Sequence, residues 1–391
     1  MYGEPRYVAY VLRHEGEPVV VDVCEANVDA CDADTIERLI RDFRTGLSDP
    51  RNTYVKEVAR ELYDKLVKPL RQHLGKANHV LISPDGALNL LPFAALVDET
   101  GTYLATKVEI TYLASGRDLL RFGATLEAKG DAVVVADPDY GQSEMVVVQV
   151  DSSIQPARSI DLDRAGMAFT PLSGTVDEAK ALKTLLKLKE ENLLTQSEAT
   201  EARLKQVHSP RILHVATHGF FLKDNEIPVA ALRPVAFSQD QRAITLGENP
   251  LLRSGLALAG ANGRRSGEND DGILTAAEVA QMDLRGAQLV VLSACETGLG
   301  DVQNGEGVYG LRRALVLAGA ETQVASLWKV ADDATKDLMV EYYQRLLKGE
   351  GRSAALREAQ RTMMKDPARS HPYYWAAFVP IGNWTPLPQT R

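Results

Sequence analysis

Four short apolar runs constrain the architecture more than any other feature. Residues 132–136 (Ala-Val-Val-Val-Ala), 212–216 (Ile-Leu-His-Val-Ala), 289–292 (Leu-Val-Val-Leu) and 324–327 (Val-Ala-Ser-Leu) are continuous rather than alternating. A strand with one wet face alternates polar and apolar residues; a strand covered on both faces does not. Segments with helical spacing lie between and after the runs, at 176–189, 200–206, 276–282, 307–318 and 333–347. Thr275-Ala-Ala-Glu278 has the spacing of a capping box and fixes one helix start. This alternation predicts an α/β fold with a mostly parallel sheet flanked by helices. In such sheets chemistry collects at the carboxyl ends of the strands.

The first 125 residues read as a smaller α/β unit. Residues 7–12 and 19–23 are β-rich runs around the turn Glu15-Gly-Glu17, a hairpin. Helical spacing follows at 34–43 and 55–74, with Pro69 breaking the second, and 80–83 reads as a short buried strand. Residues 140–168 and 249–272 read as long loops, the second with the acidic cluster Glu268, Asp270 and Asp271. Loops of this length in a compact domain are commonly functional. Both are candidates for elements that order on activation.

Charge and cysteine content exclude several classes. With 44 Lys+Arg against 53 Asp+Glu the net charge is -9, opposite to the basic surplus of a nucleic-acid binder. No run approaches 18 apolar residues and the first residues carry no signal-peptide pattern, so neither a membrane partner nor export is expected. Three cysteines are too few for a disulfide scaffold. Cys24 and Cys31 read as ordinary thiols, and a reducing, cytoplasmic setting is expected.

Two strand ends carry reactive side chains. One reads Ile212-Leu-His-Val-Ala-Thr-His218-Gly219, the other Val291-Leu-Ser-Ala-Cys295-Glu-Thr-Gly298. Taken singly, a cysteine at a strand end is a small hydrophobe and a histidine before glycine is structural. Taken together, they suit nucleophilic catalysis: an imidazole removes the thiol proton, and the glycine lets substrate backbone approach. The N–H groups of Cys295 and Gly219 could receive an oxyanion. His214, four residues before His218, has no third ligand at useful spacing and reads as packed structure rather than metal; His371, before a proline, reads likewise. No cofactor or metal is expected. The glycines from 298 to 310 lack the Gly-Lys-Ser/Thr ending of a phosphate loop.

Further motifs accompany these in order: Ser83-Pro-Asp-Gly-Ala-Leu-Asn89, Tyr112-Leu-Ala-Ser-Gly-Arg-Asp118, Ser254-Gly-Leu-Ala-Leu-Ala-Gly-Ala-Asn262, Ser326-Leu-Trp-Lys-Val330 and His371-Pro-Tyr-Tyr-Trp-Ala-Ala-Phe378. With the two strand-end motifs and Gly305-Glu-Gly-Val-Tyr-Gly-Leu311, the set resembles CHAT domains. These are caspase-like cysteine peptidases of the caspase–separase clan, often joined to tetratricopeptide repeats. The resemblance implies a caspase-like sheet over 126–391 and an amino-terminal α/β subdomain over 1–125, a degenerate counterpart of the first. It implies His218 as base, Cys295 as nucleophile, and a protein substrate cleaved as by an endopeptidase. It also implies control by an attached repeat domain or a partner complex. The caspase signature differs, with Gln-Ala-Cys and a histidine about 50 residues upstream; here the spacing is 77 residues. In separases an aspartate follows a Leu-Trp motif and lines the specificity pocket, and Asp332 resembles it, although Asp332 or Asp333 could instead cap the following helix. Asp137, at the end of the first run, is a second pocket candidate, and Glu306 a candidate for ordering the glycine-rich loop. The rival expectation is a catalytically silent scaffold, since a fold alone does not imply catalysis.

Overall fold

The computed structural model describes residues 5–23, 31–122, 126–142, 167–221, 250–264, 270–293, 301–303 and 307–388. Its strands are β1 (Val8–Val11), β2 (Val19–Asp22), β3 (His79–Ile82), β4 (Glu109–Tyr112), β5 (Val133–Pro138), β6 (Leu193–Gln196), β7 (Ile212–Ala216), β8 (Gly219–Phe221), β9 (Ser254–Ala257), β10 (Ile273–Thr275), β11 (Leu289–Leu292), β12 (Asp301–Gln303), β13 (Gly307–Tyr309), β14 (Thr322–Ser326) and β15 (Phe378–Gly382). Among the described residues, eight of them form one sheet in the order β3-β4-β15-β14-β11-β7-β5-β6. All neighbours run parallel except β14 and β15. This is the mostly parallel α/β architecture that the four apolar runs predicted, and all four lie in the sheet.

The continuity of those runs has a direct structural cause. Val134, Ala136, Ile212, Ala216, Val291 and Val324 face one core, and Val133, Val135, Leu213, Val215, Val290 and Leu292 the other. The first core lies under the helices Ala33–Leu47, Val55–Leu66, Ser173–Leu186, Asp332–Leu347 and Arg352–Met364. The second lies under Glu201–Lys205, Ala276–Val279 and Leu311–Ala318. Each valine, leucine or isoleucine among these core residues contributes about 1.5–3 kcal/mol when taken wholly out of water. The sheet's middle strands are therefore rigid platforms for whatever follows them.

Two strands from the first 125 residues extend this sheet. β3 and β4 join it through β15. Buried hydrogen bonds fasten the two parts of the chain: Thr111 Oγ1 donates to Ser353 Oγ at 2.6 Å, and the Arg312 guanidinium donates to the Asn89 carbonyl at 3.1 Å. The β1–β2 hairpin is a separate two-stranded sheet.

Some local expectations need correction. The segment 307–318 is not one helix: residues 307–309 pair with β12, and the helix starts at Leu311. The stretch 249–272 is not all loop, since it contains β9, which pairs with β8 and β10 in a small antiparallel sheet. Cys31 is disulfide-bonded, not an ordinary thiol. Cys24, Cys295, Glu306 and the apolar run 146–150 lie outside the described residues. The capping box is present, with Thr275 and Glu278 satisfying each other's backbone N–H. Among the described residues no helix is long and apolar enough to cross a membrane.

Candidate active site

β7 is fully buried and ends at Ala216, so the chain leaves the sheet from a fixed point. Thr217 anchors the exit. Its hydroxyl donates to the Ala257 carbonyl and lies 2.9 Å from the Tyr140 hydroxyl. His218 follows, its ring packed against those of Tyr140 and Phe169 with centroids 5.3 and 5.6 Å away. His218 Nε2 lies 2.7 Å from the Thr170 carbonyl oxygen. A carbonyl can only accept, so Nε2 carries a proton, and in the neutral ring Nδ1 is the basic nitrogen. Burial among the aromatic rings pulls the His218 pKa below its ordinary value. The Thr170 carbonyl opposes this, Lys329 reinforces it, and Asp332 opposes it. The ring is thereby kept as a neutral base at neutral pH.

Gly219 opens β8. The amide of Ala257 donates to the His218 carbonyl at 2.9 Å, which makes that facing pair a hydrogen-bonded one. Gly219 faces Leu256 in the next position of the ladder. Antiparallel pairs alternate, so Gly219 belongs to a non-bonded pair and its N–H points away from β9. That N–H is directed outward from the small sheet, as an anion-binding donor requires.

β11 runs beside β7, with Leu292 opposite Val215. Ser293 continues the ladder one step, its amide donating to the Val215 carbonyl at 2.9 Å. The chain towards Cys295 therefore leaves the sheet next to the chain towards His218.

A pocket lies against these exits. It holds about 410 Å³ of space not filled by atoms, part of it open to solvent, with Thr217, Ser293, Glu178, Trp328 and Asp332 in its wall. Asp332 does not cap its own helix, whose N-cap is Ala331. Its carboxylate instead accepts the Gly174 N–H at 3.2 Å, in the first turn of the helix Ser173–Leu186. Asp333 pairs with Arg369 at 3.0 Å, away from the pocket. Asp137 sits at a bulge with φ 49°, its carboxylate taken by the Gln196 side-chain amide, and it is not in the pocket wall.

Behind the strand ends lies a buried polar group whose Glu178, Ser293 and Tyr343 the motifs did not single out. Glu178, 2% exposed, accepts from the Ser293 hydroxyl on both oxygens, at 3.0 and 3.1 Å. His214 Nε2 comes within 3.1 Å of Glu178 Oε1, without the alignment of a hydrogen bond, and Nδ1 lies 3.1 Å from the Tyr343 hydroxyl. His214 is packed inside the sheet's cover, as expected. A signal for Glu178 existed: Thr175, Glu178, Ala179 and Leu182 are the buried stripe of their helix, so an acid holds a core position. The Thr170 carbonyl carries no sequence signal, being backbone. His371 caps the short helix Pro372–Trp375 and bonds the Asn52 carbonyl, a structural task. Among the described residues no group of His, Cys, Asp and Glu is arranged to hold a metal ion.

A family model described as CHAT domain matches residues 56–383. Tetratricopeptide repeat protein 28 of Homo sapiens and its Mus musculus counterpart are each 26% identical over 359 residues. Those matches cover 88% of this chain and 14% of each relative, so the chain spans about one seventh of their length. Among solved structures, the Arg specific cysteine proteinase gingipain R overlaps 94% of this chain and 71% of its own, at 12% identity and TM-score 0.46. Saccharomyces cerevisiae separase, solved with securin, overlaps 78% of this chain and 16% of its own, at 14% identity and TM-score 0.44.

Proposed function

The chain belongs to the CHAT domain family, and from that premise we propose that it is a cysteine endopeptidase acting through His218 and Cys295. The observation that carries the reading is the state of His218. One ring nitrogen is committed to the Thr170 carbonyl, and the other is left basic at the carboxyl end of β7, beside the strand that leads to Cys295.

In this reading His218 Nδ1 takes the proton from the Cys295 thiol, and the thiolate attacks the scissile carbonyl carbon. The N–H groups of Gly219 and Cys295 stabilise the oxyanion. The imidazolium returns its proton from Nδ1 to the leaving amine. A water molecule, deprotonated by the same nitrogen, then hydrolyses the thioester and frees Cys295.

Asp332, in the pocket wall, is the proposed selector of the substrate side chain, and two carboxylates in that wall favour a basic one. Glu306 is proposed to order the glycine-rich loop. Asp137 is the weaker pocket candidate because Gln196 engages it. Control by a tetratricopeptide repeat domain or a partner complex belongs to the same proposal, supported by the relatives' names. A cytoplasmic site suits a thiol nucleophile, whereas the Cys31 disulfide pulls the other way.

The test is cleavage of a peptide library by the chain and by Cys295→Ala. The variant should fold alike and cleave nothing. Cleavage by the variant would refute the assignment. A wild-type Cys295 that no thiol-reactive peptide probe labels would instead support the silent scaffold.

A further inference from the structure

We infer that Glu178 is a positioning residue of the candidate site, fixing the direction in which the chain leaves β11 towards Cys295, beside the exit that delivers His218. The inference rests on the peptidase reading above.

Ser293 stands two residues before Cys295 and His214 four residues before His218. Both side chains meet the same carboxylate, although they come from different strands. The β7–β11 ladder alone fixes the strands along their length. It does not fix the direction in which the chain leaves β11. Glu178 supplies that by gripping the Ser293 hydroxyl one residue beyond β11. The helix that carries it is held in turn at its first turn by Asp332 and packs along the helix Asp332–Leu347.

The depth of burial explains why the grip is tight. Burial holds the Tyr343 phenol far above its ordinary pKa, and its hydroxyl lies 3.1 Å from His214 Nδ1, while His214 Nε2 faces Glu178. Glu178 accepts from the Ser293 hydroxyl, and among the described residues no lysine or arginine pairs with it. A carboxylate so deeply buried depends on every donor it has. Loosening Ser293 leaves a buried carboxyl group without its donor, which disfavours any slip of the β11 exit.

The experiment is iodoacetamide alkylation of Cys295, read by peptide mass mapping across a pH series, with thermal unfolding in parallel. Glu178→Gln keeps the volume but gives up one acceptor oxygen and the charge. It and Ser293→Ala should each slow alkylation at neutral pH about tenfold, as loss of one charge-assisted hydrogen bond would. Each should move the pH midpoint of alkylation up towards an ordinary thiol, a shift that mere loosening of the fold, which the melting temperature reads separately, would not produce. The double variant should be no slower than either single one. Wild-type reactivity at one of the two variants, or losses that multiply, would overturn the inference, and Ser293→Ala carries the test if Glu178→Gln does not fold. A His218→Ala arm separates the two claims. If it slows alkylation while Glu178→Gln does not, the peptidase reading stands and the Glu178 inference falls. If Cys295 shows no activation even in the wild-type chain, both fall.

Discussion

The Thr170 carbonyl oxygen and His218 Nε2 lie 2.7 Å apart, and this contact settles which ring nitrogen can act as a base. Nitrogen-15 NMR of the histidine ring should therefore find the neutral form protonated at Nε2. His218→Ala should lower peptide cleavage by about 10²–10⁴-fold, the range for loss of a general base. A ring protonated at Nδ1 instead would contradict the proposed proton path.

The pH dependence should follow the neighbours of His218. Its pKa is depressed chiefly by burial, so the acid limb of kcat/KM should fall below that of an ordinary histidine. Lys329 disfavours the imidazolium, so Lys329→Ala should raise the limb towards neutrality. Asp332 favours it, so Asp332→Asn should lower the limb further. The pH–rate profiles of the two variants must move in opposite directions. The same shift affects stability. A folded-state pKa below the unfolded value means that protonation favours unfolding, so His218 weakens the fold as pH falls through the histidine range.

Gly174 offers a way to move Asp332 without altering its charge. A Cβ at Gly174 would stand 2.1 Å from the Asp332 Cβ, so one of the two helices must shift. Overpacking of this kind costs about 1–3 kcal/mol. Gly174→Ala should lower the melting temperature and also change the preferred substrate side chain in the same direction as Asp332→Ala. Library profiling that finds the two preferences unrelated would remove Asp332 from the pocket assignment.

These residues show what the sequence made legible. Continuous apolar runs betray strands covered on both faces, and the strand-end position of His218 followed from one of them. Residues 254–257 were harder. Ser254-Gly-Leu-Ala reads as loop because Gly255 weakens strand propensity, yet a Cβ there would stand 2.6 Å from the Leu274 carbonyl oxygen and 2.9 Å from Phe220. The close approach that demands glycine is what hides the strand. Residues 307–309 misled through apolar character shared with the helix that follows, whereas their pairing with β12 is a tertiary choice. The Thr170 carbonyl left no trace in residue identity. Glu178 did, as an acid in a buried helical stripe, and that pattern repays attention when a site is sought.

The support behind Gly219 should respond to pH in its own way. Lys205 Nζ is shared by Glu201, Glu278 and Asp270 at 2.6, 2.9 and 3.1 Å, and Glu201 also accepts the Gly272 N–H at 3.1 Å just before β10. One ammonium does not neutralise three carboxylates. Burial makes Glu201 the one that takes a proton, its pKa pushed up from 4.5 to about 8, with Lys205 opposing the rise and Glu278 and Asp270 adding to it. Between those values the folded chain binds a proton that the unfolded chain does not, so this group's contribution weakens as pH rises and is gone above about 8. Glu201→Gln should flatten that slope and raise the melting temperature on the alkaline side. Thermal unfolding across this range, with proton uptake on folding measured calorimetrically, checks both statements. A slope unchanged by Glu201→Gln would place the proton elsewhere in the cluster. The consequence reaches the site because β10 pairs with β9 and β9 with β8, so a looser Gly272 turn should show as faster hydrogen exchange at Ala257, the amide that bonds His218.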